Sequence, residues 1–418
     1  MLNVQQSLKK EREAASLYKQ SLAKQRWNPL SWRNFSAKQQ PVYADQKLLD
    51  HCLDVLKKAP ALVHYSQIEQ LKKHIARAGK GQEFLLQAGD CAEQFQECHP
   101  EIVKNKINSI LQIKETIEQN LNKPVTVIGR IAGQYAKPRS SETETIHSTT
   151  LPSFRGDIIH SREFSFEARK TNPTFMLRAY EKSAETFNYM QNLRGFASLP
   201  FFASHEALLL CYESALTRPA ENNYFYNMST HFLWLGERTR DLQGAHVEYL
   251  RGIENPIGIK LSHKVTNDEL INLILTLNPN KEAGKILLIH RIGHDYVDLH
   301  LPRLIRAVKR AGLTVTWMCD PMHGNSEILA NGIKTRDFEN ISSELFRSVE
   351  IHRAQGTILA GVHLETAAEN VTECLGGKQK IQLCDLEKNY KSACDPRLNS
   401  AQSLELSAEF AKRMILQR

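Results

Sequence analysis

The sequence predicts an α/β protein built on a closed (β/α)8 TIM barrel with an N-terminal helical extension. Three observations carry this. Eight short apolar runs recur along the chain, at 84–88, 125–129, 200–203, 224–228, 257–261, 286–289, 314–318 and 357–362. Helical patterns separate most of them, at 102–120, 174–193, 207–216, 268–277, 298–311 and 341–354. Strands that alternate with helices pair in parallel through right-handed crossovers, and eight such units close into a barrel. A doubly wound sheet is the alternative, but no GxGxxG opens any of these helices.

Taken in order, residues 3–26 are rich in Leu, Ala, Glu, Lys and Gln, which suits a mostly exposed helix ended by Trp27-Asn28-Pro29. Trp32 and the Gln39-Gln40-Pro41 turn read as an extension draped over a larger body. Residues 45–59 and 65–78 space their apolar positions three and four apart, as amphipathic helices do. The expected division is an extension over 1–80 and a catalytic barrel over 81–418. No internal repeat or low-complexity segment interrupts the rhythm that follows.

Composition narrows the partners. The chain of 418 residues is 41% hydrophobic and 24% charged, ordinary for a globular protein and enough for one large barrel with extensions. Its formal charge of +8 is mild; it fits a solvated surface or a basic mouth that draws anionic substrates. No Lys/Arg run interleaved with aromatics points to nucleic acid, and no apolar run approaches membrane-spanning length. The eight cysteines form no CxxC pair, and no secretory apolar segment opens the chain. The expectation is free thiols in a reducing, cytoplasmic setting.

A barrel carries its chemistry at the carboxyl ends of its strands. The first run leads into Gly89-Asp90-Cys91, the second into Arg130 and then Lys137-Pro138-Arg139-Ser140, and the fourth is followed by Gly236-Glu237-Arg238. The fifth run ends near Lys260 and the sixth on His290-Arg291; beyond the seventh lies His323, and the eighth ends on His363-Leu364-Glu365. Asp395 follows in Cys394-Asp395-Pro396-Arg397. One set is cationic: Arg130, Lys137, Arg139, Arg238, Lys260 and Arg291. Such cations repel one another unless anions neutralise them, and Arg grips phosphate and carboxylate bidentately. The other set is Cys91, His323, Glu365 and Asp395, a thiol, an imidazole and two carboxylates that together suit a divalent transition metal. Taken alone, His323 is open between metal ligand, general base and core histidine. His363 shares a strand face with Glu365 by the period of two and supports the cluster rather than joining it.

Longer motifs surround these residues: Gln87-Ala88-Gly89-Asp90-Cys91-Ala92-Glu93, Arg130-Ile131-Ala132-Gly133-Gln134-Tyr135-Ala136-Lys137-Pro138-Arg139-Ser140, Gly236-Glu237-Arg238-Thr239-Arg240, Gly258-Ile259-Lys260, His290-Arg291-Ile292-Gly293, Asp320-Pro321-Met322-His323-Gly324-Asn325, Lys334-Thr335-Arg336, Gly361-Val362-His363-Leu364-Glu365 and Cys394-Asp395-Pro396-Arg397-Leu398-Asn399. In this order they resemble the class II 3-deoxy-D-arabino-heptulosonate 7-phosphate (DAHP) synthases, over about residues 27–399. The resemblance implies condensation of phosphoenolpyruvate with erythrose 4-phosphate and release of phosphate, the first step of the shikimate route to aromatic compounds. It makes Cys91, His323, Glu365 and Asp395 ligands of a divalent metal, Mn²⁺ or Co²⁺. It assigns Arg130, Glu237, Arg238, Lys260 and Arg291 to phosphoenolpyruvate, and Lys137, Arg139 and Ser140 to erythrose 4-phosphate. Lys137 is then the proton donor to the nascent alkoxide, and Lys334 lies near the site. It also implies a homo-oligomer, dimer or tetramer. Longer members carry an extra helix pair before the third strand. Here only Arg194–Leu199 fills that place, as in compact members that feed secondary pathways such as phenazine synthesis. Another metal-dependent barrel aldolase or lyase acting on phosphorylated substrates is the alternative, and a basic nucleic-acid scaffold is a third, disfavoured by cations placed at strand ends.

Overall fold

The computed structural model describes residues 27–146 and 148–416; the helix expected over 3–26 lies outside them. Eight strands close into a barrel: β1 (Phe84–Gly89), β2 (Val125–Arg130), β3 (Phe201–Glu206), β4 (Phe232–Leu235), β5 (Ile257–Leu261), β6 (Ile286–His290), β7 (Thr316–Cys319) and β8 (Leu359–Glu365). Each pairs in parallel with its sequence neighbours, and β1 pairs with β8 to close the ring. Two helices precede the barrel, α1 (Gln46–Lys58) and α2 (Tyr65–Gly79). One follows each strand: α3 (Pro100–Leu121), α4 (Thr174–Asn192), α5 (Leu210–Ala215), α6 (Ala245–Leu250), α7 (Asn267–Leu277), α8 (Val297–Arg310), α9 (Phe338–Ala354) and α10 (Ser400–Leu416).

The barrel floor is apolar. Leu71, Ile75 and Ala78 of α2 cluster with the inward-facing Leu85, Ile128, Phe202, Phe232, Leu287, Ile289 and Met318. Thr316 Oγ1 donates to Ile75 O at 3.1 Å, so α2 closes the amino-terminal mouth. The period of two then sets what stands one step higher on each strand: Gln87 above Leu85, Arg130 above Ile128, Ser204 and Glu206 above Phe202, Asp320 above Met318. Opposite faces of the strands pack on the helices: Leu86, Val127 and Val362 form one cluster with α3, α9 and α10, and Leu288, Ile259 and Leu235 form another with α7 and α8.

Four expectations are corrected. The run 224–228 is not a barrel strand. Phe225–Asn227 pairs antiparallel with Thr217–Pro219 in a surface hairpin where Tyr224 is exposed, and the barrel strand is the next run, Phe232–Leu235, buried along its whole length. A barrel strand lies between inner core and outer helices, so both its faces must be apolar or paired. The third strand runs on through Ser204-His205-Glu206, three residues beyond its apolar run. The helix expected over 207–216 is only Leu210–Ala215, because Leu209 keeps a non-helical backbone. The seventh strand starts at Thr316, after α8 has ended in a turn at Gly312 with φ +61°. Two further hairpins, Thr143–Ile146 with Thr149–Pro152 and Ser326–Ile328 with Lys334–Arg336, rise from the loops after β2 and β7. Among the described residues no helix is long and apolar enough to cross a membrane.

Candidate active site

The carboxyl-terminal mouth of the barrel holds a cleft of about 490 Å³. Arg130, Lys137, Arg139, Arg238, Lys260 and Arg291 all line it, with Ser140, Glu237, His323 and Asp395. The cations therefore converge from four different strand ends on one space. Cys91 and Glu365 are buried at its floor, where Lys137 Nζ lies 3.1 Å from Cys91 Sγ and 3.6 Å from Glu365 Oε1.

Arg130, Lys260, Arg291 and Arg139 are each held by a named support. Arg130 donates to Asp90 O (2.7 Å), Cys91 O (2.8 Å) and Glu365 Oε1 (3.0 Å), and lies over the Trp234 ring. Lys260 Nζ meets Asp320 Oδ2 at 2.5 Å, and Arg291 Nη2 donates to His323 O at 2.5 Å. Gln39, in the segment before α1, pairs reciprocally with the Arg139 backbone, accepting from its N at 3.0 Å and donating to its O at 3.1 Å. Burial pushes the Lys260 ammonium down to about 8, with Arg130 and Arg291 adding to the shift against Asp320. Glu237 lines the cleft, but its carboxylate is engaged by Arg240 (2.8 Å) and Ser262 Oγ (2.6 Å).

The four candidate ligands lie together. Ligand atoms of Cys91, Glu365 and Asp395 are all within 4.8 Å of one another. His323 Nε2 is 3.1 Å from Glu365 Oε1 and 4.0 Å from Asp395 Oδ2. Asp395 arrives on a loop strapped to β8: Leu398 N donates to Glu365 O at 3.0 Å, and Arg397 bridges Asp90 (2.6 Å) and Glu373 (2.8 Å). The set fits a divalent cation on an observation of its own. The Lys137 ammonium is centred on three of its atoms, 2.6 Å from Asp395 Oδ2 besides its contacts to Cys91 and Glu365, so the cluster already collects positive charge. Burial opposes that charge on Lys137, yet Asp395, Cys91 and Glu365 outweigh it and hold the group well above its usual range. Burial pushes the Cys91 thiol well up. Glu365 and Asp395 stay well below the usual carboxylate range: burial opposes this, but His323 and Lys137 around Glu365, and Lys137 and Lys334 around Asp395, prevail.

Reading strand ends alone misses three residues at the mouth. Asp320 is wholly buried and accepts from His323 Nδ1 at 2.8 Å while pairing with Lys260. A carboxylate on the far ring nitrogen fixes which nitrogen faces the cluster. Glu206 lines the cleft with no hydrogen-bond partner for Oε1 among the described residues; burial raises it, against Lys137, Arg238, Arg130 and Lys260. Trp234 forms a wall. Glu206 and Trp234 sit on the two strands whose runs were placed short or wrongly; the continuous apolar run 232–235 was the available signal. Inside the barrel, His363 Nδ1 donates to Gln87 Oε1 (2.7 Å) and its Nε2 accepts from Arg130 Nη1 (3.0 Å).

Fold and cleft together define a barrel enzyme for anionic substrates with a site for a divalent cation. Comparison with known proteins makes this particular. The model of the Class-II DAHP synthetase family matches residues 27–200 and 191–411. A phospho-2-dehydro-3-deoxyheptonate aldolase of Neurospora crassa is 40% identical over 448 residues, covering 91% of this chain and 93% of its own. One from Streptomyces coelicolor is 39% identical over 427 residues, covering 90% and 95%. A solved structure of the Francisella tularensis protein of that name shares the fold, with TM-score 0.52 at 17% identity over 91% of this chain and 99% of that one. The chain belongs to the class II DAHP synthase family.

Proposed function

We propose that this chain condenses phosphoenolpyruvate with D-erythrose 4-phosphate to 3-deoxy-D-arabino-heptulosonate 7-phosphate and inorganic phosphate. Family membership supports the reading, and one observation carries it: six cations around a single cleft above the thiol, imidazole and two carboxylates. Two phosphates and a carboxylate account for that many cations; an aldolase with one phosphorylated substrate does not. The direct test is phosphate release with both substrates, before and after exhaustive chelation and Mn²⁺ addition. No release from the purified chain with both substrates and metal present would overturn the reading.

On this reading Arg130, Arg238, Lys260 and Arg291 bind phosphoenolpyruvate, with Glu237 orienting the mouth through Arg240 and Ser262. Lys137, Arg139 and Ser140 bind erythrose 4-phosphate. Cys91, His323, Glu365 and Asp395 would hold the metal, Mn²⁺ or Co²⁺, which when bound supplies Lewis-acid polarisation of the aldehyde oxygen. A carbon–carbon bond forms between the enol carbon and the aldehyde carbon, and Lys137 Nζ gives a proton to the resulting alkoxide oxygen. Water adds at the carbon bearing the phosphate ester, and Glu206 Oε1, the acceptor left unpartnered, takes its proton. The hemiketal phosphate then collapses: its hydroxyl oxygen forms the ketone C=O, the carbon–oxygen bond to phosphate breaks with its electron pair on phosphate, and the hydroxyl proton leaves with the phosphate. Residues 81–418 form the catalytic unit and 1–80 the extension. The unpaired thiols fit a reducing, cytoplasmic setting, and sedimentation would decide between dimer and tetramer.

Three expected results follow from this assignment. Lys260 binds anions only while protonated, so the KM for phosphoenolpyruvate should climb about tenfold per unit above pH 8. A flat alkaline limb in initial-rate profiles would contradict this. Arg291→Ala should raise KM for phosphoenolpyruvate and Arg139→Ala that for erythrose 4-phosphate, each by about 30-fold or more, as expected when a charge-assisted pair is truncated. The opposite pairing in steady-state kinetics would mean the subsites are exchanged. Between α4 and β3 stands a single turn of 3-10 helix, Phe196–Ser198, which leaves no helix pair to frame a second ligand there. Millimolar tryptophan, phenylalanine or tyrosine should leave the rate unchanged; saturable inhibition would reveal a pocket elsewhere.

A further inference from the structure

The loops that follow β6 and β7 carry Arg291 and His323, and their backbones touch. A Cβ placed on Gly324 would lie 2.4 Å from Gly293 N, so the two loops pack backbone against backbone with no room for a side chain. Beneath the contact lies Glu344, on the inner face of α9 and fully buried. Its Oε1 accepts from the backbone N–H of Ile292 (2.8 Å) and Gly293 (3.0 Å), the two residues after Arg291. Its Oε2 accepts from Asn325 Nδ2 (2.7 Å), two residues after His323. Asn325 completes the tie: its Nδ2 also reaches Pro321 O (2.8 Å), and its Oδ1 accepts from His294 N (2.9 Å) on the other loop.

We propose that Glu344 is a positioning residue that locks the Arg291 loop and the His323 loop into one arrangement, so that the phosphoenolpyruvate grip and the metal ligand are set as a unit. The inference rests on the function proposed above. The contacts favour an ionised carboxylate: every hydrogen bond its two oxygens make among the described residues comes from an N–H donor. Burial pushes this carboxyl up to about 7 in spite of its three donors, so an ionisable group is retained here at an energetic cost. A glutamine of the same size cannot replace it. With its oxygen on the Ile292 and Gly293 amides, its NH₂ faces the NH₂ of Asn325. If Asn325 turns over, its NH₂ meets the N–H of His294 instead. One tie breaks in either orientation, although the volume is unchanged.

The test uses the full chain and three variants: Glu344→Gln, Asn325→Asp and the two combined. In the double variant the carboxylate has moved from the helix to the loop. Its oxygens accept from the glutamine NH₂ and from His294 N, and the glutamine oxygen keeps the two backbone amides, while the bond to Pro321 O is given up. Glu344→Gln should raise the KM for phosphoenolpyruvate about tenfold, the loss of one hydrogen bond to a charged group. It should weaken Mn²⁺ binding, read by electron paramagnetic resonance without substrate, by about tenfold. The KM for erythrose 4-phosphate should stay within about twofold, since Arg139 is held elsewhere. The double variant should recover part of both losses relative to Glu344→Gln, which a packing defect would not allow, the missing part being the lost bond to Pro321 O. Wild-type values of both constants in Glu344→Gln would overturn the proposal. Equal losses for both substrates would reduce Glu344 to general stability and also overturn it. If Glu344→Gln does not fold, the melting points decide: a double variant more stable than either single supports the tie, and one no better refutes it. Absence of phosphate release from the wild-type chain would instead strike the proposed function itself.

Discussion

Replacing Cys91 by serine should lower Mn²⁺ affinity by more than about a hundred-fold, beyond the losses seen when only an outer partner of a ligand is removed. Activity at micromolar metal should fall with it, by about a thousand-fold. The thiol becomes a thiolate on binding a divalent metal; a serine hydroxyl stays neutral at any accessible pH. The change is nearly isosteric at a position where Sγ accepts from Asp395 N at 3.0 Å and Lys137 Nζ at 3.1 Å, and a hydroxyl oxygen accepts from the same donors. The fold should therefore survive, and circular dichroism and the melting point should stay close to wild type. High metal should rescue part of the activity, because His323, Glu365 and Asp395 remain. A serine variant that binds Mn²⁺ like the wild type, or a wild type fully active after chelation with metal absence verified, would remove Cys91 from the ligand set.

Lys137→Met should behave in the opposite way toward metal and the same way toward catalysis. Methionine keeps the length of the stem and removes the ammonium that lies 2.6 Å from Asp395 Oδ2 and 3.1 Å from Cys91 Sγ. That ammonium competes with any cation for the cluster, so its loss should leave Mn²⁺ affinity unchanged or higher. The metal-free variant should be less stable than the metal-free wild type, since Glu365 and Asp395 lose a buried counter-charge, typically about 3–5 kcal/mol. Metal should restore that stability. The rate should nevertheless fall by about 10²–10⁴, the usual worth of a positioned proton donor. Calorimetry with and without Mn²⁺, combined with single-turnover rates, separates the two effects. Loss of metal binding in Lys137→Met, or a near-normal rate, would show that Lys137 is a structural counter-ion only.

The legible part of this molecule was its periodicity and its strand ends. Apolar runs alternating with amphipathic helices specify parallel pairing, because each strand must be covered on both faces; that constraint is local and repeats eight times. Residues directly after a buried strand stand at a barrel mouth whatever their neighbours, which is why Arg130, Lys260, Arg291 and Glu365 were readable one by one. Glu237 and Arg238 were reached despite a misplaced fourth strand, because the residues read after the supposed run extend past the true strand, Phe232–Leu235, which they follow directly after Gly236. Runs 224–228 and 232–235 are both apolar, and only the closed barrel has a place for one of them.

What the chain by itself determined, then, is the barrel, the sign of charge at its mouth and the types of ligand available. Tertiary structure decided how these meet. Asp395 lies far along the chain from Cys91, and the Arg397 bridge to Asp90 and Glu373, with the bond of Leu398 N to Glu365 O, brings its loop over the barrel mouth. Asp320 reads as a turn residue before Pro321, yet burial against Lys260 and His323 makes it the carboxylate that orients a ligand. Glu344 looks like one more acidic residue on a helix, and its position under two loops makes it a tie. The physical reason is common to all three. A carboxylate's role depends on which donors replace its water, and donors such as Lys334 for Asp395, Lys260 for Asp320 and Ile292 for Glu344, 61, 60 and 52 residues away in sequence, are chosen by packing, not by pattern.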